Sequence, residues 1–256
     1  MKKVKKRKLK IKFLIILLLV ILVLFIGLFI FYKMLANKNV YYKVDSRVKI
    51  AEKTKIEDSN TVGWIRVQGT NIDYPIIEET DSAYYSGIDY IWRANVYVPN
   101  ENRVAIYGHN ILNVSSSPLI NASGHKRFEP LMGFVYEDFA KENLYIQYTH
   151  DGKDYLYKIY AVSFLYANEE NGKSINDSNE IEKYIKNARD NSIYDYDVDV
   201  NSDDNLISLI TCTRYFGLNG KTTFRVDARE VRKNENIKSY SVEINQNYDI
   251  IKQDRR

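Results

Sequence analysis

The 256-residue chain contains one cysteine, Cys212, so no disulfide can form within it. His, Cys, Asp and Glu nowhere fall at metal-ligand spacing, no glycine-rich loop is positioned to cradle phosphate, and no internal repeat is visible. Metal, nucleotide and solenoid chemistry are therefore not expected, and no cofactor is expected either. Acidic residues are absent from the first twelve positions, and charge of either sign is absent from 13–32.

Those two local absences organise the start of the chain. Met1 to Lys12 carries eight Lys or Arg, and Phe13 to Tyr32 is an apolar run interrupted only by Gly27. Twenty residues at helical rise match a hydrocarbon core about 30 Å thick, and no small-residue cleavage site follows. The run reads as a retained single-pass membrane anchor with a cytoplasmic basic tail and the remainder outside. Without the tail and Lys33, 28 basic residues face 33 acidic ones, a net charge of −5. The basic balance of the whole chain thus belongs to the tail, which suits an anionic inner leaflet, and nucleic-acid binding is not expected.

Domain organisation follows: a tail over 1–12, an anchor over 13–32, a helical stalk over 33–60, a catalytic domain over 61–232 and a polar extension over 233–256. Gly63–Val67 and Ile72–Ile77 alternate at period two around Gln68-Gly69-Thr70-Asn71 and predict a hairpin. Asn95–Val98, Arg103–Tyr107, Leu144–Tyr148, Tyr155–Val162, Leu206–Thr211 and Thr222–Val226 read as further strands, with Asp151-Gly152 marking a tight turn. Helices are expected over Glu129–Lys141 and Ser178–Asn191, the latter capped by Asp177 or Ser178. Many short strands with two inserted helices predict a mostly β, mostly antiparallel closed barrel.

Cys212 ends the apolar run Leu206–Thr211, where packing fixes a thiol while its sulfur faces a groove. Most free cysteines are small buried hydrophobes, but a lone thiol in an exported domain is either an intermolecular partner or a reactive group. A neighbouring cation or base would raise its thiolate fraction. Of the three histidines, His150 lies in a hairpin turn and His125 in a polar loop, whereas His109 directly follows the strand Arg103–Tyr107. Acyl transfer also needs positive charge at the developing oxyanion. Arg225, on the strand after Cys212, is the candidate, with Arg214 and Arg229 competing.

Tyr107-Gly108-His109-Asn110, Thr211-Cys212 and an arginine on the next strand resemble the sortases, cell-surface cysteine transpeptidases. Gly63-Trp64-Ile65 with Ile72-Asp73-Tyr74-Pro75-Ile76, the Phe128–Asn143 segment and the helix before the cysteine strand are similar to class B members. The resemblance implies a sortase-like barrel in which Cys212, His109 and Arg225 cleave a sorting motif after Thr through a thioester. The partners it implies are secreted proteins bearing a carboxyl-terminal sorting signal and a peptidoglycan precursor or cross-bridge amine. A pilin-polymerising sortase, a cysteine hydrolase and a non-enzymatic surface-binding protein are the alternatives. Three departures stand out. Ser208-Leu209-Ile210-Thr211 replaces the usual Thr-Leu-Ser-Thr, Thr223 occupies the usual arginine position, and Ile111–His125 is long and serine-rich.

Overall fold

The structure, a computed structural model, describes residues 16–29, 44–78, 94–100, 103–166, 177–217 and 222–248. Two compact units are present, residues 1–40 and 41–256. In the first, residues 16–29 are helical, and their large apolar side chains are 42 to 69 % exposed. No helix among the described residues is long and apolar enough to cross a membrane. Of the spanning helix expected over 13–32, residues 16–29 are the described part, and residues 13–15 and 30–32 lie outside the described ones.

The second unit runs α1 (Val48–Glu57), β1 (Thr61–Val67), β2 (Asp73–Glu78), β3 (Ala94–Asn100), β4 (Arg103–Tyr107), a 3-10 turn (Glu129–Val135), α2 (Glu137–Glu142), β5 (Tyr145–His150), β6 (Lys153–Tyr166), α3 (Ser178–Asp190), β7 (Tyr194–Tyr196), β8 (Leu206–Thr213), β9 (Thr222–Glu230) and β10 (Val242–Ile244). Eight strands form one curled sheet in the order β1-β2-β3-β4-β8-β9-β6-β5, and β1 pairs again with β5 to close the ring. The seam between β2 and β3 is short, with three paired positions. β2–β3 and β4–β8 are parallel, and the other six pairings are antiparallel.

Alternation fills the interior. Phe224, Val226 and Ala228 of β9 join Ile207 and Leu209 of β8, Ile65 of β1 and Ile106 of β4 in one apolar core lying wholly within residues 41–256. The β1–β2 turn requires glycine at position 69, where φ is +72° and a Cβ would lie 1.9 Å from Asn143 Oδ1. Asp151 and Gly152 take φ of 47° and 70° in the predicted β5–β6 turn.

Helix α3 begins at Asp177, whose carboxylate accepts from the Glu180 N–H at 2.9 Å, and buries Ile181, Ile185 and Ala188. The stretch expected as one helix over Glu129–Lys141 is broken instead at Tyr136, whose extended backbone (φ −93°, ψ 128°) separates the 3-10 turn from α2. The polar residues beyond 232 are tied to the barrel. β10 pairs with β7, Tyr240 Oη donates to the carbonyl of Leu144 at 2.6 Å, and Glu235 bridges Arg229 and Lys158.

Candidate active site at the end of strand β8

Every residue of β8 except Cys212 is buried; Cys212 alone is exposed. The strand lies between parallel β4 and antiparallel β9, with Tyr107 opposite Ile210 on one side and Thr223 opposite Cys212 on the other. Parallel pairing brings the carboxyl ends of β4 and β8 to the same end of the barrel. Gly108 N–H donates to the Ile210 carbonyl at 3.0 Å, and Thr211 Oγ1 donates to the Gly108 carbonyl at 2.7 Å. His109 therefore leaves the sheet beside the Thr211–Cys212 step, and its own carbonyl accepts from Phe128 N–H at 3.2 Å. Gly108 is obligatory here: a Cβ would lie 2.4 Å from the buried ring of Phe128.

Electrostatics at this end favour neutral forms. Although the residue is open to solvent, partial desolvation by the protein around it pushes the Cys212 thiol above its ordinary range. Burial, and then the nearby charge of Arg127, push the His109 imidazole below its own.

Arg225 shares the outer face of the sheet with Cys212, because it pairs with Ile210 and Ile210 is two residues before Cys212. Its guanidinium, however, is turned along β9 to Asp227, with Nε 2.6 Å from Oδ2, and its side chain is 3 % exposed. Burial is the largest influence and opposes the charge, but Asp227, Tyr184 and Tyr160 together leave the arginine raised above its ordinary value. Asp227 is wholly buried and accepts on Oδ1 from Ser208 Oγ at 2.6 Å and from Tyr184 Oη at 2.5 Å. Arg225 and Arg103 lie over the Tyr184 ring at 5.0 and 4.2 Å, and Arg103 Nε donates to Ser208 Oγ at 3.2 Å. Tyr184 belongs to α3, so this polar cluster fastens that helix to the sheet.

The competing arginines separate clearly. Arg229 pairs opposite Leu206 and binds Glu235, six residues along β8 from Cys212. Arg214 is exposed immediately beyond β8, and its N–H donates to the Val114 carbonyl at 3.0 Å. His150 is stacked between Tyr148 and Tyr155 at 4.5 and 4.4 Å, outside this end's hydrogen-bond set. His125 is buried, and its carbonyl accepts from Asn71 Nδ2 at 2.8 Å.

The loop after His109 is built on one carboxylate. Buried Glu129 accepts on Oε1 from the N–H groups of Ile111 (3.1 Å) and Leu112 (2.9 Å), and on Oε2 from Lys126 N–H (2.8 Å).

No family model matches the sequence. Sortase B of Listeria monocytogenes is 25 % identical over 199 residues, spanning 72 % of this chain and 74 % of that protein. Sortase B of Staphylococcus aureus is 21 % identical over 165 residues, spanning 60 % of this chain and 64 % of that one. The crystal structure of Clostridium perfringens sortase B superposes with a TM-score of 0.58 at 23 % identity, covering 71 % of this chain and 99 % of that one.

The chain is most like the class B sortases.

Within that sortase-like fold, sequence reasoning found the residues that end strands and missed those that hold them. Asp227 was within reach, since two residues apart on a strand share a face and Arg225-Val226-Asp227 places an acid there. Tyr184 and Arg127 carried no such signal. Tyr184 reads as a core position of an amphipathic helix, and Arg127 meets His109 only through the fold of the intervening loop.

Proposed function

We propose that the chain is a sortase-type cysteine transpeptidase with Cys212 as its nucleophile. The observation that carries this reading is the exposed Cys212 on an otherwise buried β8, with His109 brought to the same end by the β4–β8 pairing. A buried structural cysteine would not be the one residue of its strand left open to solvent.

In the proposed reaction His109 takes the Cys212 thiol proton. The sulfur attacks the carbonyl of a threonine in a sorting motif near the carboxyl terminus of a secreted protein. The peptide C–N bond breaks as the C–S bond forms, and His109 delivers the proton to the departing amine. An amine from peptidoglycan precursor or cross-bridge then attacks the thioester, loses its proton to His109 and releases the thiol. Backbone N–H groups and Arg225 stabilise the oxyanion. With its Nε on Asp227, Arg225 acts here through its charge. The uncharged run 13–32 after the basic tail supports a single-pass anchor holding the domain on the outer cell surface.

Residues 41–256, which contain the entire core, are the unit to test. They are incubated with quenched peptides bearing Asn-Pro-x-Thr or Leu-Pro-x-Thr motifs, with and without triglycine, beside Cys212→Ala. Cleavage after threonine, with triglycine in the product mass and no product from the variant, supports the reading. Free acid alone in the presence of amine makes the chain a hydrolase.

A further inference from the structure

The register of β8 against β9 fixes where each polar residue of β9 lies relative to Cys212. Thr223 pairs with Cys212, Arg225 with Ile210 and Asp227 with Ser208, all on the outer face. Asp227 is therefore the farthest of the three from the thiol, four residues along the strand or about 13 Å. The Arg225 guanidinium is turned toward Asp227, and so away from Cys212, with Nε 2.6 Å from Oδ2. Thr223 lies as many residues from Arg225 as Asp227 does, so the length of the side chain does not choose between the two directions.

The carboxylate chooses. Asp227 is wholly buried and is fastened by Ser208 Oγ at 2.6 Å and Tyr184 Oη at 2.5 Å, donors that come from β8 and α3. Arg225 meets it through Nε alone, and its Nη2 is buried with no hydrogen-bond partner among the described residues. An unsatisfied guanidinium N–H in a buried place is costly. The arginine is thus held where one of its donors goes unused, by a carboxylate that two other elements also hold. An oxyanion on the Cys212 side would give that donor an acceptor.

We infer that Asp227 is a positioning residue that clasps Arg225 in the resting protein: it draws the guanidinium away from Cys212 and offsets its charge, and loosening the pair brings the cation to the thiol and to the oxyanion formed there. The part of the inference that concerns the oxyanion rests on the transpeptidase reading. The part that concerns the thiol needs no reaction on a peptide.

The test measures alkylation of Cys212 by iodoacetamide at pH 7 in residues 41–256. The parent is compared with Asp227→Asn, Arg225→Gln and the double variant Arg225→Gln/Asp227→Asn. Removing the carboxylate leaves a cation near the thiol and favours the thiolate, whereas removing the cation leaves a carboxylate and disfavours it. Asp227→Asn is expected to alkylate about threefold faster than the parent or more, and Arg225→Gln about twofold slower or more. The double variant buries no unpaired charge and is expected within about twofold of the parent. Thermal melting keeps every measurement below unfolding. A loosened fold would expose the thiol and speed both single variants, so opposite signs separate a clasp from a purely structural pair. Each single variant carries its own sign, so one that fails to fold leaves the other as the test. With a sorting-motif peptide, Asp227→Asn is also expected to form the thioester faster than the parent. Equal alkylation in all four proteins, single variants that shift in the same direction, or slower thioester formation in folded Asp227→Asn overturns the inference. Opposite shifts in alkylation, with no peptide cleaved by any of the four, keep the clasp and sink the transpeptidase reading instead.

Discussion

At the scale of single residues, the candidate site is a thiol and an imidazole that both rest neutral. Partial desolvation raises the Cys212 thiol, so its thiolate is sparse near neutral pH and increases as pH rises through the elevated value. Alkylation of Cys212 by iodoacetamide in folded protein is expected to keep accelerating above pH 9 and to be slower at pH 7 than for a free cysteine. A rate that is already flat by pH 7 would show a thiolate–imidazolium pair instead. Arg225 differs because it is the cation paired with the buried Asp227 carboxylate. Arg225→Ala leaves the Asp227 carboxylate buried with only two hydroxyl donors, a loss of about 3–5 kcal/mol on the scale of a broken buried pair. Urea unfolding of Arg225→Ala against Arg214→Ala separates this structural effect, since Arg214 is exposed and its substitution is expected to cost under about 0.5 kcal/mol. If Arg214→Ala nevertheless abolishes cleavage, the oxyanion cation belongs to Arg214.

At the scale of elements, strands were legible and the loops that join them were not. Hydrophobic patterning located the barrel strands, at period two in β1 and β2 and as a continuous apolar run in β8, because these residues enter a common core. β7 and β10, three residues each, lacked the length for a pattern, and their pairing depends on contacts between residues near 195 and 243. The break at Tyr136 was hidden because the apolar spacing of Glu129–Lys141 continues across it. The parallel β4–β8 pairing carries His109 to the barrel end that holds Cys212, and a parallel pairing leaves no turn signal in sequence. The loop following His109 yields its own prediction. Glu129→Ala deprives three backbone N–H groups of their acceptor, and a loss of roughly 3 kcal/mol in unfolding free energy is expected, with faster hydrogen exchange at Ile111, Leu112 and Lys126. Unchanged exchange at those amides would show that the loop is held by other contacts.

At the scale of the whole molecule, the terminal segment fastens the barrel from outside. Glu235 is held down to about 2 by its bonds from Arg229, against the opposing effect of burial, with Lys158 and the Arg232 N–H assisting. Its folded value lies below the ordinary 4.5, so the stability it contributes is complete above pH 4.5 and is lost as pH falls toward 2. Glu235→Gln is expected to lower the melting temperature at pH 6 and to flatten its decline between pH 4.5 and 2. Parallel decline in both proteins would assign that acid sensitivity to other carboxylates.

The central claim is that Cys212 carries the acyl group, and intact mass measurement after mixing residues 41–256 with a sorting-motif peptide, in acidic quench and without added amine, tests it most directly. The account predicts a mass increase equal to the peptide through its threonine, located on Cys212 and absent from Cys212→Ala. Peptide cleavage that persists in Cys212→Ala, with no adduct on the parent, would contradict it.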